Sequence, residues 1–229
     1  MINPQLWNGY SYVGNNPLNA IDPIGQELVK LGQHTDDEIK RRQKEIDQQL
    51  KGVKNDKSLT KDQRKEQEQK LKGEKNTLNL EKEGNRVVGA LLKALDTTGQ
   101  RNGLTLKDFT LTTDTKKDFE KYATTGALKM LVNDQAFVIK GVPQFSGTIY
   151  LRTEPAEGFY QLSQRYSDFV YYGASSVRHE QEHLRGRGEG PAYAVQDDVL
   201  HGFQNYFQNS ELYKTLDEAL HEAIKKNPK

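Results

Sequence analysis

The stretch of sequence that decides the expected fold runs from Ser175 to Leu184 and reads SSVRHEQEHL. Side chains four residues apart project from one face of an α-helix, so the imidazoles of His179 and His183 can bind the same metal ion. Glu180 follows the first histidine directly, and its carboxylate can therefore reach a water molecule on that ion. The stretch predicts a helix with a zinc site, on which Glu180 acts as general base.

Two serines and a pair of opposite charges bear on the same helix. Ser175 or Ser176 can cap its start by accepting a hydrogen bond from a backbone N–H. Arg178 and Glu182 are spaced for an ion pair, which also suits an ordinary surface helix whose histidines bind nothing. A chance occurrence of the pattern therefore stays open as the alternative.

A catalytic zinc site needs a third protein ligand and leaves a fourth position open for water. Glu189 is the preferred candidate, because Gly186 and Gly188 can end the helix through a left-handed residue and turn the chain back. A second helix can start near Pro191, since proline is tolerated in a first turn. Three other side chains stay open as the third ligand: Asp197, Asp198 and His201.

The order from His179 to Glu189, H-E-x-x-H-x-x-G-x-x-E, resembles the extended metzincin pattern, with Glu in place of the usual final His or Asp. The segment that starts at Glu189 reads EGPAYAVQ and is similar to the second helix of small bacterial gluzincin-like peptidases. Both resemblances imply that Glu189 is the third ligand.

Other polar side chains near the motif have competing interpretations. Tyr193 is assigned a catalytic role, in which its hydroxyl stabilises a developing oxyanion, and packing in the core is the alternative. His201 can supply the same hydrogen bond. His34 and His221 lie in or beside polar segments and are predicted to be ordinary solvated residues. Two further side chains are predicted to be surface charges or groups that bind a substrate carboxylate: Arg185 and Arg187.

The composition excludes several classes of function. The chain has 229 residues, which suits one catalytic domain with attached segments, and it contains no cysteine. Disulfides, thiolate zinc sites and cysteine nucleophiles are therefore excluded. The net charge of +1 gives no basic field for nucleic acid. No apolar run reaches the roughly 20 residues that cross a bilayer. No basic and apolar leader follows Met1, so we expect no signal peptide of its own.

Residues 27–84 are predicted to form a highly charged helical hairpin. Thr35 and Thr60 each begin a capping box, which marks the start of a helix. A thin apolar stripe runs along the first helix and continues on the second, through Ile39, Ile46, Leu50, Val53, Leu71 and Leu78. Both charge signs occur on the remaining faces, so solvated surface is favoured over a nucleic-acid groove. We assign the hairpin the role of a spacer or an interaction surface.

Residues 85–229 have the composition of a globular domain. The segment Val87–Leu95 fits an amphipathic helix. Phe137–Ile139 and Thr148–Leu151 are β-branched and aromatic, and we predict two strands that can pair. The second strand precedes the metal helix, and by analogy with zincins it is expected to be an edge strand that pairs with extended substrate. Phe169–Tyr172 is either another strand or the start of that helix.

The N-terminal segment carries a resemblance of a different kind. From Trp7 to Gly25 it reads WNGYSYVGNNPLNAIDPIG. This resembles the pattern W-N-x-Y-x-Y-V-x-N-N-P-L-x-x-x-D-P-x-G that closes the Rhs-repeat-associated core, the cage of bacterial Rhs toxins. The resemblance implies that residues 1–26 end such a core, that the chain is released near Gln26, and that a C-terminal toxin domain follows.

The same resemblance implies a biological setting. The domain would be an antibacterial polymorphic toxin, exported inside a larger Rhs shell and acting in the target cell. Its substrate would be a protein of that cell, and a cognate immunity protein is its expected partner. No nucleic acid or membrane partner is expected.

These observations predict an α+β protein, with a zincin-like catalytic domain over residues 85–229 preceded by the charged hairpin. The predicted function is a zinc-dependent metallopeptidase that hydrolyses peptide bonds, with Zn²⁺ held by His179, His183 and Glu189. Two alternatives from other classes stay open. One is a non-enzymatic helical interaction module, and the other is a metal-dependent hydrolase of cell-wall amides.

Overall fold

The computed structural model of the chain describes residues 28–112, 136–137, 147–152, 169–204 and 211–227. Within these residues, five α-helices accompany one small sheet, so the structure is of the α+β class. The segment from Trp7 to Gly25, and with it the predicted end of an Rhs core, lies outside the described residues.

In chain order the elements are β1 (Leu28–Lys30), α1 (Asp36–Asn55), α2 (Lys61–Thr97), a 3-10 turn (Leu106–Asp108), β2 (Phe109–Thr112), β3 (Ala136–Phe137), β4 (Ile149–Arg152), α3 (Phe169–Leu184), α4 (Glu189–Gly202) and α5 (Glu211–Lys226). None of these helices combines the length and the apolar composition needed to cross a bilayer.

The sheet has the strand order β1-β2-β4-β3 among the described residues. β1 and β2 are antiparallel, β2 and β4 are parallel, and β4 and β3 are antiparallel. Phe137 lies opposite Tyr150, so the predicted pairing of these two strands is confirmed. The expectation that β4 is an edge strand is wrong, because β2 occupies its other side. β2 is a short strand in which every residue is buried, and no pattern in the sequence predicted it.

Both helices of the predicted hairpin begin where the capping boxes placed them. Thr35 and Thr60 accept hydrogen bonds from the backbone N–H groups of Glu38 and Gln63, and both boxes are complete. Most of the predicted stripe forms a small core between α1 and α2, made of Ile39, Ile46 and Leu78 with Leu50 and Leu71 packed against them. Val53 is half-buried and lies outside this cluster.

The second helix does not stop at the end of the hairpin. α2 runs unbroken from Lys61 to Thr97, so the boundary predicted between residues 84 and 85 falls inside it. The helix predicted over Val87–Leu95 is the C-terminal part of the same helix. Its buried side chains belong to the main core, together with Leu31, which directly follows β1. The hairpin and the globular part therefore share one helix rather than a linker.

A buried carboxylate fixes the junction between β1 and α1. Glu81, on α2, is 3% exposed and accepts hydrogen bonds from the backbone N–H groups of Gln33 and His34, each at 2.8 Å. Its other oxygen lies 2.8 Å from Nδ1 of His34. His34 is exposed, as predicted for a solvated residue, but one of its ring nitrogens contacts a buried partner that the sequence did not indicate. The backbone turn before α1 takes these acceptors from α2, which is distant in sequence.

The main core fills the space between the sheet and the helices. Its buried members include Phe109, Leu111, Ile149 and Leu151 from the sheet, Val88, Leu91 and Leu95 from α2, Val177 from α3, and Val199 and Leu200 from α4. α3 packs against α2, α4, β3 and β4. The helix that carries the H-E-x-x-H pattern is therefore held on several sides.

We expect two glycines of α2 to respond in opposite ways to alanine. A Cβ at position 84 would lie 2.7 Å from methyl groups of both Leu31 and Leu111, which are fully buried and cannot move away. Gly84→Ala should therefore lower the free energy of unfolding by about 1–3 kcal/mol. A Cβ at Gly89 meets nothing within 4 Å, so Gly89→Ala should raise it by up to about 1 kcal/mol. Urea unfolding of both variants measures this. Equal effects would contradict the packing of α2 on β2.

Candidate metal centre

The face of α3 that carries the H-E-x-x-H pattern is buried. His179 is 7% exposed and His183 is 8% exposed, while Arg178 and Glu182 are buried beside them. An ordinary charged surface helix is therefore not what the structure contains. The prediction that a serine caps the helix is also wrong. α3 begins at Phe169, and Ser175 lies inside it, where its hydroxyl donates to the carbonyl of Tyr172 at 2.7 Å.

The turn after α3 has the geometry that the glycines predicted. Gly186 is left-handed, with φ of 79°. Its N–H donates to the carbonyl of His183 at 3.0 Å, and the N–H of Arg187 donates to that of Glu182 at 3.0 Å. These two bonds form a Schellman motif, which satisfies carbonyls at the end of the helix. α4 then begins at Glu189, so a turn of four residues separates the two helices.

This turn brings the three predicted ligands together. Nε2 of His179 and Nε2 of His183 are 3.0 Å apart. The carboxylate of Glu189 faces both nitrogens, with Oε2 3.4 Å from Nε2 of His179 and Oε1 3.3 Å from Nε2 of His183. Ligand atoms around a tetrahedral zinc, with bonds of about 2.0–2.1 Å, are separated by roughly 3.3 Å. The three side chains therefore fit a single ion of this size.

The two imidazoles are prepared for a metal by different means. Nδ1 of His183 donates to the carbonyl of Arg187 at 3.0 Å, which leaves the lone pair on Nε2. Burial lowers the pKa of His179 to about 4, the neighbouring His183 acts in the same direction, and Glu189 opposes both. His179 is therefore neutral near pH 7, as a metal-binding imidazole must be.

The two predicted catalytic side chains also lie at this centre. The carboxylate of Glu180 and a ring nitrogen of each histidine lie within 4.8 Å of one another. Tyr193 is on α4, about one turn after Glu189, and its ring packs on the edge of His179 with ring centroids 4.6 Å apart. Tyr193 also packs against the main core. It thus forms one wall of the site and fixes the orientation of the His179 ring.

An ion-pair network around the buried carboxylate of Glu182 supports the turn between α3 and α4. Glu182 is 1% exposed, and its carboxylate lies 3.4 Å from Arg178, 2.8 Å from Arg185 and 3.0 Å from Arg187. Burial lowers the pKa of Arg178, and the Glu182 carboxylate opposes that shift. Arg185 and Arg187 are exposed, as predicted for surface charges, and both also pair with the buried carboxylate of Glu182. Because Arg187 also supplies the carbonyl that orients His183, the network reaches a candidate metal ligand.

The other candidates for the third ligand lie elsewhere. Asp197 and His201 form a separate group with Asp217 and His221 of α5, and Asp198 is exposed. Asp197 follows Glu189 by eight residues, which places it about 12 Å further along α4. The expectation that His221 is an ordinary solvated residue missed this group. The spacing Asp-x-x-x-His occurs in both helices and could have indicated it from the sequence.

The described residues thus contain two groups of His, Asp and Glu that could bind a metal ion. Comparison of the chain with protein-family models, with curated proteins and with solved structures found no match. The assignment of a function therefore rests on the chemistry of these residues.

We expect Glu182→Gln to destabilise the fold strongly, since it leaves the buried guanidinium of Arg178 without a compensating charge. Loss of one partner from a buried ion pair costs about 3–5 kcal/mol. A matched control is Glu222→Gln, which removes an exposed carboxylate that pairs with Lys225, and its effect should stay below about 1 kcal/mol. Urea unfolding compares the two. A similar small loss in both variants would show that Glu182 does not support the turn.

Proposed function

We propose that this chain is a zinc-dependent peptidase of the zincin type, in which His179, His183 and Glu189 hold the ion. The observation that carries the proposal is the convergence of the Glu189 carboxylate on both Nε2 atoms, at 3.3 and 3.4 Å. Two imidazoles and one carboxylate from a helix–turn–helix are a ligand set that zinc accepts in catalytic sites.

The burial of the ligands supports a catalytic rather than a structural role. The two histidine side chains are almost fully buried, whereas the side chain of Glu189 is 51% exposed. The centre is therefore open to solvent on the side of Glu189. A site with three protein ligands and an accessible fourth position can take a water molecule and a substrate.

The chain's own residues account for the proton transfers that peptide hydrolysis needs. When bound, zinc lowers the pKa of a coordinated water towards about 7 and polarises the carbonyl of the substrate. Glu180 accepts a proton from the attacking water and passes it to the nitrogen of the leaving amine. The hydroxyl of Tyr193 is the candidate donor to the oxyanion that develops on the carbonyl oxygen. The peptide bond breaks, and one water is consumed.

The biological setting of this activity is proposed on the sequence resemblance between Trp7 and Gly25. We infer that the chain is the toxin tip of an Rhs-type antibacterial effector, carried out of the producing cell inside a larger Rhs shell. Its substrate is then a protein of the target cell, and an immunity protein that binds this domain protects the producer.

The test compares metal content and peptide cleavage in matched variants. Glu189→Gln and His183→Ala should each lose one equivalent of zinc, measured by mass spectrometry of the purified protein. Asp198→Asn, which changes an exposed carboxylate further along α4, is the control and should retain the metal. Glu180→Gln should retain the zinc and lose about 10²–10⁴-fold in cleavage rate, because it removes the general base.

Four results would contradict the proposal. Zinc content unchanged by His183→Ala would show that His183 does not hold the ion. Full activity in Glu180→Gln would show that Glu180 is not the general base. Cleavage of purified peptidoglycan, with no cleavage in a peptide library, would favour a hydrolase of cell-wall amides. If growth inhibition of a target cell survives in Glu180→Gln, the interaction module is the better explanation.

A further inference from the structure

A second cluster of metal-binding side chains joins the last two helices of the structure. Asp197 and His201 lie one turn apart on α4, and Asp217 and His221 lie one turn apart on α5. One ligand atom from each of these four residues lies within 4.8 Å of the others. We propose that this cluster is a second site for a divalent ion of the zinc type, which clamps α5 onto α4.

The hydrogen bonds of the two histidines leave one nitrogen of each ring for a metal. Nδ1 of His201 donates to the carbonyl of Asp197 at 3.0 Å, and Nδ1 of His221 donates to the carbonyl of Asp217 at 2.8 Å. Both rings therefore carry their lone pair on Nε2. The rings are perpendicular, with centroids 6.0 Å apart, and Nε2 of His201 lies 3.8 Å from Oδ1 of Asp217. That distance is too long for a hydrogen bond and suits two ligands of one ion.

The two carboxylates present oxygens that need a cation. Oδ1 of Asp197 and Oδ1 of Asp217 are both buried, and neither accepts a hydrogen bond. Buried carboxylate oxygens without a partner are costly, and most such atoms in proteins are bonded to a donor or a metal. Neither oxygen gains a hydrogen bond from His201 in this geometry: its Nδ1 lies 3.3 Å from Oδ1 of Asp197 but donates to a backbone carbonyl, and its Nε2 lies 3.8 Å from Oδ1 of Asp217. The histidine side chains are 43% and 49% exposed, which gives an ion access from solvent.

The chemistry of this cluster differs from that of the first centre. Four protein ligands, two imidazoles and two carboxylates, complete a tetrahedron and leave no position for a substrate. The second site is therefore structural. Leu220 is buried in the main core and Ile224 packs against it, so α5 makes an apolar contact as well. The ion would fix the other side of α5 to the helix that begins with Glu189.

The test is the zinc content of the full chain after saturation with zinc and removal of free metal. We expect about two zinc ions per chain in the wild type and about one in both His221→Ala and Asp217→Asn. Glu218→Gln changes the exposed neighbour of Asp217 and should retain both. Circular dichroism checks that each variant is folded. If His221→Ala does not fold, the more conservative Asp217→Asn still tests the site.

The outcomes separate this site from the proposed peptidase centre. The two sites are filled independently, so His183→Ala should lose one zinc and His183→Ala combined with His221→Ala should lose both. If His221→Ala and Asp217→Asn leave the metal content of a folded protein unchanged, the second site is overturned, whatever His183→Ala does. If only His183→Ala leaves the content unchanged, the first centre fails and the second stands.

Discussion

The rest of the candidate metal centre depends on the burial of one carboxylate, that of Glu182. An ionised group with so little access to water must be compensated, and it is surrounded by three guanidinium groups from the end of α3 and the turn that follows. Arg178 holds the carboxylate from within the helix, and Arg187 holds it from the turn itself. The path of the chain between the two helices is thereby fixed, and with it the position of Glu189.

Helix geometry and turn geometry contribute different parts of the centre. The four-residue spacing on α3 puts two imidazoles on one face, a relation that any undistorted helix would produce. The third ligand requires a reversal of the chain, and Gly186 permits it because a left-handed residue can follow the last turn at little cost. Burial then keeps His179 neutral. A local pattern and one tight turn thus bring together three candidate ligands that span only eleven positions, from His179 to Glu189.

The sequence predicted those parts of the structure that depend on neighbours along the chain. Both capping boxes, the stripe between α1 and α2, the left-handed turn and the pairing of β3 with β4 follow from local spacing. Apart from the serine cap, which the earlier start of α3 rules out, the errors concern contacts between distant segments. Nothing near Glu81 indicates that it accepts bonds from the start of α1, and nothing near β2 indicates that it lies beside β4. The group around His221 forms only because α5 packs on α4. Each Asp-x-x-x-His pair is visible in the sequence, but the contact between the two helices is not.

The continuity of α2 has a mechanical consequence. A helix of 37 residues is about 55 Å long, and its C-terminal part is embedded in the main core while the rest pairs with α1. No linker separates the two parts, so the tip of the hairpin around residues 56–60 cannot swivel about a hinge. A partner bound at this tip would keep a fixed direction relative to the core. A force applied there would be transmitted along the axis of α2 to the strands that pack against this helix.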